Sequence, residues 1–422
     1  MSTLILGGGV TGLAAAWHLQ RHGETAEVWE ARESVGGWMQ TLPWEGGHLE
    51  TGPQGVLWQP GTAVDRLFSA LDLPFNAPGK GARWVGKGGR LVPVPASPFG
   101  LLASPLMPLS AKLRMMLEPF ISVRPAEPEE GLSAFIARRL GRGVALDLLP
   151  AMVAGILAAP PEVLSVDAIP KLRQWEATGS LVNGVRKSGV SHMVVPVGGM
   201  GQLPIRLAAQ LPAVRTGIRA TALEALPDGR WRVTGGGEVR EADRVVLALP
   251  AYEAAALLGS VAPVSAGALA AVPYTSVDLW HSRHAPLPEL KDGFGFLIHP
   301  PEGRGYLGSL VPSWMDPQSA PEDLMQLRSF VGGAFPKGSD LDGWEGLFAR
   351  LKGWIPQLGE AVAVRHERAE RAIPRPELGH RARVQAALKG LPTGLDWLSN
   401  ARFGPGVRDI LEGLEGWIAQ DN

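Results

Sequence analysis

The hydrophobic pattern is most informative at the start of the chain. Ser2–Leu6 is a short unbroken apolar run, the signature of a strand buried on both faces. From Val10 to His22 the apolar positions Leu13, Ala16, Trp17 and Leu19 gather on one helical face, and Gly23 stops the helix. Glu27–Glu30 reads as a second strand that ends on an acid. Between the first strand and the helix lies Gly7-Gly8-Gly9-Val10-Thr11-Gly12, a G-x-G-x-x-G turn. Gly7 permits the tight turn, Gly9 lets a pyrophosphate approach the backbone, and Gly12 lets helix and strand pack closely. The pyrophosphate sits on the helix N-terminus, where free N–H groups and the dipole favour an anion. Glu30 is placed to accept hydrogen bonds from the ribose hydroxyls and argues against a 2′-phosphate, although Arg32 follows closely.

Further along, the pattern predicts a helix over Asp65–Leu73 and helical structure over Leu132–Leu149. Strands are expected at Arg219–Leu226, Arg230–Thr234 and Val239–Leu249, a second sheet within Val272–Ala334, and a helix over Arg408–Ala419. Ala254–Val272 carries no charge, but Gly259, Pro263 and Gly267 mark it as buried helix and loop rather than a membrane span. Ser97–Ile121 is apolar and proline-broken, with Lys112 and Arg114 among Leu109, Leu113, Met115, Met116 and Leu117. Two readings compete there, an interfacial face touching a membrane and a helical core. With only two bases present, core is favoured.

At 422 residues the chain exceeds one typical core, so two or three domains are expected. The content of 45% hydrophobic and 19% charged residues is globular, and a net charge of -1 gives no basis for a nucleic-acid surface. The chain has no cysteine, which excludes disulfides, thiolate metal sites, a redox dithiol and a flavin tethered to Cys. The chain enters its first strand with no signal peptide, so a cytoplasmic location is expected. His281 and His284 lie three apart without an evident third ligand, and no metal is expected. Gly81-x4-Gly86-Lys87 is followed by Gly88 where a P-loop needs a hydroxyl, and no G-x-S-x-G is present.

Several separated motifs add a resemblance. Glu30 is followed by Gly36-Gly37, paired glycines that let the backbone pass close to a cofactor. With Glu50-Thr51-Gly52-Pro53-Gln54-Gly55, this run resembles the flavin-containing amine oxidase superfamily, and its protoporphyrinogen oxidase branch most closely. Ala154–Ser165 is similar to a Gly-Val-x-Ala-Gly-Asp-Pro-x-x-Leu-Ser run of that branch, with Ala159 and Pro160 departing from it. Pro196–Pro204, Arg244–Pro250, Ala372–His380 and Leu398–Val407 resemble further segments, with Ser399 in place of a glycine. Arg83–Val85 with Leu91–Pro95 resembles a hairpin, and Arg328–Phe335 a terminal helix motif.

The resemblance implies an α/β fold: a discontinuous Rossmann-type FAD-binding domain (1–78, 190–262 and 378–422), a helical region (79–189) that touches substrate or membrane, and a mixed-sheet substrate domain (263–377). The expected cofactor residues are Gly7, Gly9, Gly12, Glu30, Arg32, Gly36, Gly37, Gly52, Pro53, Ile218, Ala248, Asn400 and Val407. Arg83, Gly155 and Ala159 are expected at the substrate, with Arg83 pairing a propionate bidentately. Arg124, Arg186 and Arg283 are weaker candidates. The implied reaction oxidises protoporphyrinogen IX to protoporphyrin IX, with O2 as acceptor and a tetrapyrrole as the small-molecule partner. No side chain is singled out as catalytic, since the flavin carries the hard chemistry. A coproporphyrinogen III oxidase, another flavoenzyme of the superfamily and a non-catalytic flavin- or tetrapyrrole-binding homologue remain as alternatives. Peripheral contact with the inner face of the cell membrane and a homodimer are left open.

Overall fold

The first strand, Ser2–Leu6, pairs in parallel with Thr25–Trp29 on one side and Arg244–Leu247 on the other. These strands come from a computed structural model that describes residues 2–79, 81–95, 100, 104–290 and 292–421. Val214–Arg215 and Leu395–Trp397 complete an all-parallel five-stranded sheet, so three distant stretches of chain build one layer. Its central strands bury the apolar runs Leu4–Leu6 and Val245–Leu247 because helices cover both faces. The helix Val10–Arg21 and the C-terminal helix Val407–Asp421 bury Leu13, Leu19, Leu411 and Leu414 in one cluster with Ile5 and Val28. Each such side chain contributes about 1.5–3 kcal/mol relative to exposure. The expected strand Val239–Leu249 is two, Glu238–Ala242 and Arg244–Leu247, parted at Asp243, whose backbone N–H bonds Ser2.

The second sheet has seven strands in the order Ala363–Pro374, Tyr274–His284, Met325–Gly332, Tyr306–Leu310, Gly293–Ile298, Ala82–Lys87 and Arg90–Pro93. It is mixed: Gly293–Ile298 runs parallel to Ala82–Lys87, and the other neighbours are antiparallel. The hairpin expected around Arg83–Pro95 is therefore an edge of this sheet. Arg328–Phe335, expected to contain a helix, instead continues the strand Met325–Gly332 and turns at Gly332 and Gly333, both at positive φ. The two-residue alternation of Leu327, Ser329 and Val331 against Arg328 and Phe330 is a strand pattern that the motif reading overrode.

The helical region between the sheets contains Leu109–Met116, Leu132–Arg139, Arg142–Asp147, Leu149–Leu157, Pro170–Ala177 and Leu181–Ser188. The single helix expected over Leu132–Leu149 breaks at Gly141, whose φ of +99° no L side chain adopts readily. The favoured core reading of Ser97–Ile121 holds at Leu106, Met107 and Ala111, which are buried in one cluster, and is corrected for the outward face of its helix; residues 97–99 and 101–103 lie outside the described residues. Ala111 and Lys112 face inward, whereas Leu109, Leu113, Met116, Leu117 and Phe120 are exposed. Lys112 donates to the Ser104 carbonyl, and Arg114 to the Arg138 and Arg139 carbonyls. The two bases thus tie the helix down and turn its apolar face outward. Among the described residues no helix is long and apolar enough to cross a membrane.

Candidate functional site

A cavity of about 660 Å³ runs from the edge of the five-stranded sheet to the second sheet. At one end lie Gly7, Gly9, Val10, Thr11, Glu30 and Arg32. Gly9 caps the first helix without any side-chain cap, so its N–H groups face the cavity. A Cβ on Gly9 would meet nothing within 4 Å, which is open space where a phosphate fits. Glu30 is buried, and its carboxylate accepts the N–H of Gly8 at 2.7 Å and of Arg32 at 2.8 Å. Those two bonds fix the acid at the sheet edge, within reach of a ribose. Uncapped helix, open glycine and fixed acid together suit a dinucleotide.

Most of the residues expected at the cofactor line this wall: Gly36, Gly37, Gly52, Pro53, Ala248, Asn400 and Val407 join Gly7, Gly9, Glu30 and Arg32. Two stand behind it. Gly12 is a packing glycine, since a Cβ there would lie 2.0 Å from the Gly7 carbonyl oxygen. Ile218 is buried, and its N–H donates to the Glu30 carbonyl at 2.9 Å, which holds the acid's backbone rather than the ligand. Gly52 approaches the Trp38 loop so closely that a Cβ would sit 2.1 Å from the Trp38 oxygen.

The matched segments Glu50–Gly55 and Pro196–Pro204 meet at Glu50. Its carboxylate accepts the Met200 N–H at 2.9 Å and the Thr41 hydroxyl at 2.9 Å, while Thr41 Oγ1 accepts the Gly201 N–H. Gly199 (φ +94°) is required because a Cβ would fall 2.4 Å from that hydroxyl. Burial drives the Glu50 carboxyl up to about 7, against the Met200 and Thr41 hydrogen bonds and the charge of Arg328. A carboxyl raised in the folded state binds its proton more tightly there than in the unfolded chain. Stability therefore declines as pH rises from about 4.5 towards 7, by up to about 3 kcal/mol. Glu50→Gln is expected to raise the melting temperature at pH 8 and leave it nearly unchanged at pH 5. Thermal melts of both proteins across that range would show it, and an equal shift at both values would rule out the Glu50 titration.

A family model described as flavin-containing amine oxidoreductase matches residues 10–363. The chain belongs to that family. The protein is accordingly an FAD-dependent oxidoreductase. It is 29% identical to human protoporphyrinogen oxidase over 381 residues, covering 79% of this chain and 78% of the human one. It is 24% identical to the coproporphyrinogen III oxidase of Bacillus subtilis, covering 97% and 95% of the two chains. Among solved structures, one from Exiguobacterium sp. 255-15, provisionally named a protoporphyrinogen oxidase, superposes with a TM-score of 0.81 at 22% identity over 100% of this chain and 98% of that one. A putrescine oxidase superposes with a TM-score of 0.73 at 19% identity over 99% of each chain.

The flavoenzyme's second wall is apolar. The helical region gives Ala154, Gly155, Ile156 and Ala158, and the seven-stranded sheet gives Val277, Leu279, Leu307 and Phe330. Gly155 is at the wall as expected, and a Cβ there would strike Leu297 at 2.3 Å. Ala159 is buried behind the wall, and its neighbour Ala158, in a left-handed conformation (φ +48°), takes the lining position instead. Arg83 is exposed and outside the cavity; its guanidinium lies 4.9 Å from the ring centre of Phe294, which does line it. Arg283 is structural: buried, it donates to the carbonyls of Trp44, Glu45 and Ser319. Arg124 and Arg186 are likewise outside the lining. His281 and His284 project from opposite faces of one strand and share no site.

Three lining cations escaped the sequence reading, Arg219, Arg328 and Arg371. Arg371 sits at a bulge with φ +48°, its N–H on the Ser276 hydroxyl and its guanidinium 3.7 Å from the Tyr252 ring centre. Strain of this kind in a cavity wall is a feature of ligand sites. Arg328 lies between Leu327 and Ser329 in its strand, and no local signal marks it.

Proposed function

We propose that the flavoenzyme oxidises protoporphyrinogen IX to protoporphyrin IX with O2 as acceptor. The observation that carries this reading is the joining, in one cavity, of the cofactor wall to a broad apolar wall from the helical region and the second sheet. Such a space suits a large flat apolar macrocycle, and the names of the human and bacterial relatives point the same way. Bound FAD supplies hydride acceptance from a methylene bridge and reoxidation by O2 to hydrogen peroxide. The chain's own task is orientation and water exclusion. Ala154, Gly155, Val277 and Leu279 press on the macrocycle, and Glu30 with the uncapped first helix anchors the cofactor's far end.

Within this reading, segments 1–78, 190–262 and 378–422 act as the cofactor domain, 79–189 as a helical cover and 263–377 as the substrate sheet. The exposed face of Leu109, Leu113, Met116 and Phe120 suits peripheral contact with the lipid through which so apolar a substrate would arrive.

The test is porphyrin fluorescence. FAD-loaded protein would be mixed aerobically with protoporphyrinogen IX and, separately, with coproporphyrinogen III, each against a spontaneous-oxidation blank. A fluorescence rise well above the blank with the first is expected. Rates at the blank with both substrates, despite full FAD loading, would overturn the oxidase reading.

A further inference from the structure

Arg328 is 2% exposed, yet it lines the cavity. Its bonding is incomplete for so buried a cation. Nη1 donates to the Gln54 side-chain oxygen at 3.2 Å, and Nε has no partner. Its remaining contact is the face of Phe330, 5.2 Å from the ring centre. Among the described residues no carboxylate pairs with it. The charges of Glu50 and Glu367 act on it without a hydrogen bond, and Glu50 is already engaged by Met200 and Thr41. Across the strand pair it faces His281, itself buried with neither ring nitrogen bonded, which offers no charge to balance it.

A buried guanidinium with no carboxylate bonded to it is costly, and an unsatisfied donor adds to that cost. Burial lowers the Arg328 guanidinium to about 10, which leaves it charged at neutral pH. The charge therefore persists in an apolar wall where leucine would pack at less cost. A ligand carboxylate would complete the arrangement. The planar fork of a guanidinium fits a carboxylate bidentately, and the neutral Gln54 amide beside it orients the fork without neutralising it.

We propose that Arg328, positioned by Gln54, is a carboxylate-recognition subsite of the substrate cavity, and that it receives an acidic side chain of the macrocycle. This rests on the porphyrinogen reading above and adds to it which end of the cavity takes a propionate. Arg83, exposed on the strand next to the sheet's edge and outside the cavity, is not needed for that contact. Each further carboxylate on the macrocycle must find a cation of its own or remain in water. Arg371, at positive φ, is another cation on the cavity wall.

The experiment measures binding rather than turnover. Holoenzyme would be titrated with coproporphyrin III, with its tetramethyl ester, and with benzoate, following tryptophan and flavin fluorescence. Wild type is expected to bind the free acid more tightly than the ester. Arg328→Met is expected to weaken the free acid and benzoate by about 10- to 100-fold, as for a lost charge-assisted bond. It should leave the ester within about threefold. Arg328→Lys should recover part of the loss, and Gln54→Leu should show a smaller loss; these two keep the test open if Arg328→Met does not fold. Equal binding of acid and ester by wild type would overturn the subsite and leave the porphyrinogen reading standing. Benzoate binding that depends on Arg328, with no porphyrin bound at all, would support the subsite and overturn the porphyrinogen reading. Equal losses of acid and ester in Arg328→Met would mark a merely structural arginine and overturn the proposal.

Discussion

Gly12→Val is expected to abolish both FAD retention and native stability, whereas Gly9→Ala is expected to give a folded protein that no longer holds FAD. The two glycines lie three residues apart in one turn, yet what surrounds them is opposite. A Cβ on Gly12 would lie 2.0 Å from the Gly7 carbonyl oxygen and 3.0 Å from the Ala248 Cβ. The nearer obstacle is backbone in the tightest part of the turn, so no side-chain rotation relieves the clash. The first helix would have to move off the central strand and disturb the cluster of Leu13, Leu19, Val28 and Leu414. A loss of about 3 kcal/mol or more is expected from overpacking of this kind. A Cβ on Gly9 meets nothing, and its φ of −73° suits any residue. The added methyl would occupy the space a pyrophosphate needs, so affinity for FAD should fall by at least about tenfold. Flavin absorbance per protein and a thermal melt separate the cases: Gly9→Ala should lose the first and keep the second, apart from the stabilisation FAD itself gives. A Gly9→Ala protein with full flavin would place the pyrophosphate elsewhere.

The same contrast explains what could be read from the sequence. Gly7, Gly9, Gly12 and Glu30 form one short local unit whose spacing alone sets its geometry, and the parallel strands beside it end in the buried apolar runs Leu4–Leu6 and Val245–Leu247. The C-terminal helix was legible for the same reason. Arg328 and Arg371 were not legible, because they reach the cavity through registers between strands far apart in the chain, such as His281 with Arg328. No local pattern distinguishes a strand arginine that faces a cavity from one that faces water. The roles of Gly199 and Glu50 depend likewise on a contact spanning 150 residues. The Leu109–Met116 helix was misread because an apolar helix is ordinarily a buried one. There the inward side is held by the Lys112 stem and the Arg114 guanidinium, which bond main-chain carbonyls.

Arg139→Met is expected to destabilise the helical region by about 3–5 kcal/mol, the usual result of removing one member of a buried pair. Arg139 and Glu118 are both fully buried and bonded to each other. The arginine also donates to the Ile121 carbonyl at 2.7 Å and to that of Gly179 at 3.1 Å. The glutamate accepts from the Ser180 hydroxyl and from the N–H of Leu181 at 2.8 Å, so it caps the helix Leu181–Ser188. Burial alone would raise the Glu118 carboxyl, but the Ser180 hydroxyl, the Leu181 and Val182 N–H groups and Arg139 together hold it below the ordinary range. Its contribution to stability is therefore complete at neutral pH and lost as pH falls through that lowered value. In Arg139→Met the carboxylate stays buried with its counter-charge gone, and three segments lose their common tie. The expected fall in melting temperature is about 5–10 °C at neutral pH. The double variant Arg139→Met/Glu118→Leu should recover much of it, because an apolar pair leaves no buried charge unpaired. FAD should remain bound in both at low temperature, since neither residue touches the cofactor wall. An unchanged melt in Arg139→Met would show that the pair contributes little. Loss of FAD at low temperature would show instead that the helical region and the cofactor sheet unfold as one unit.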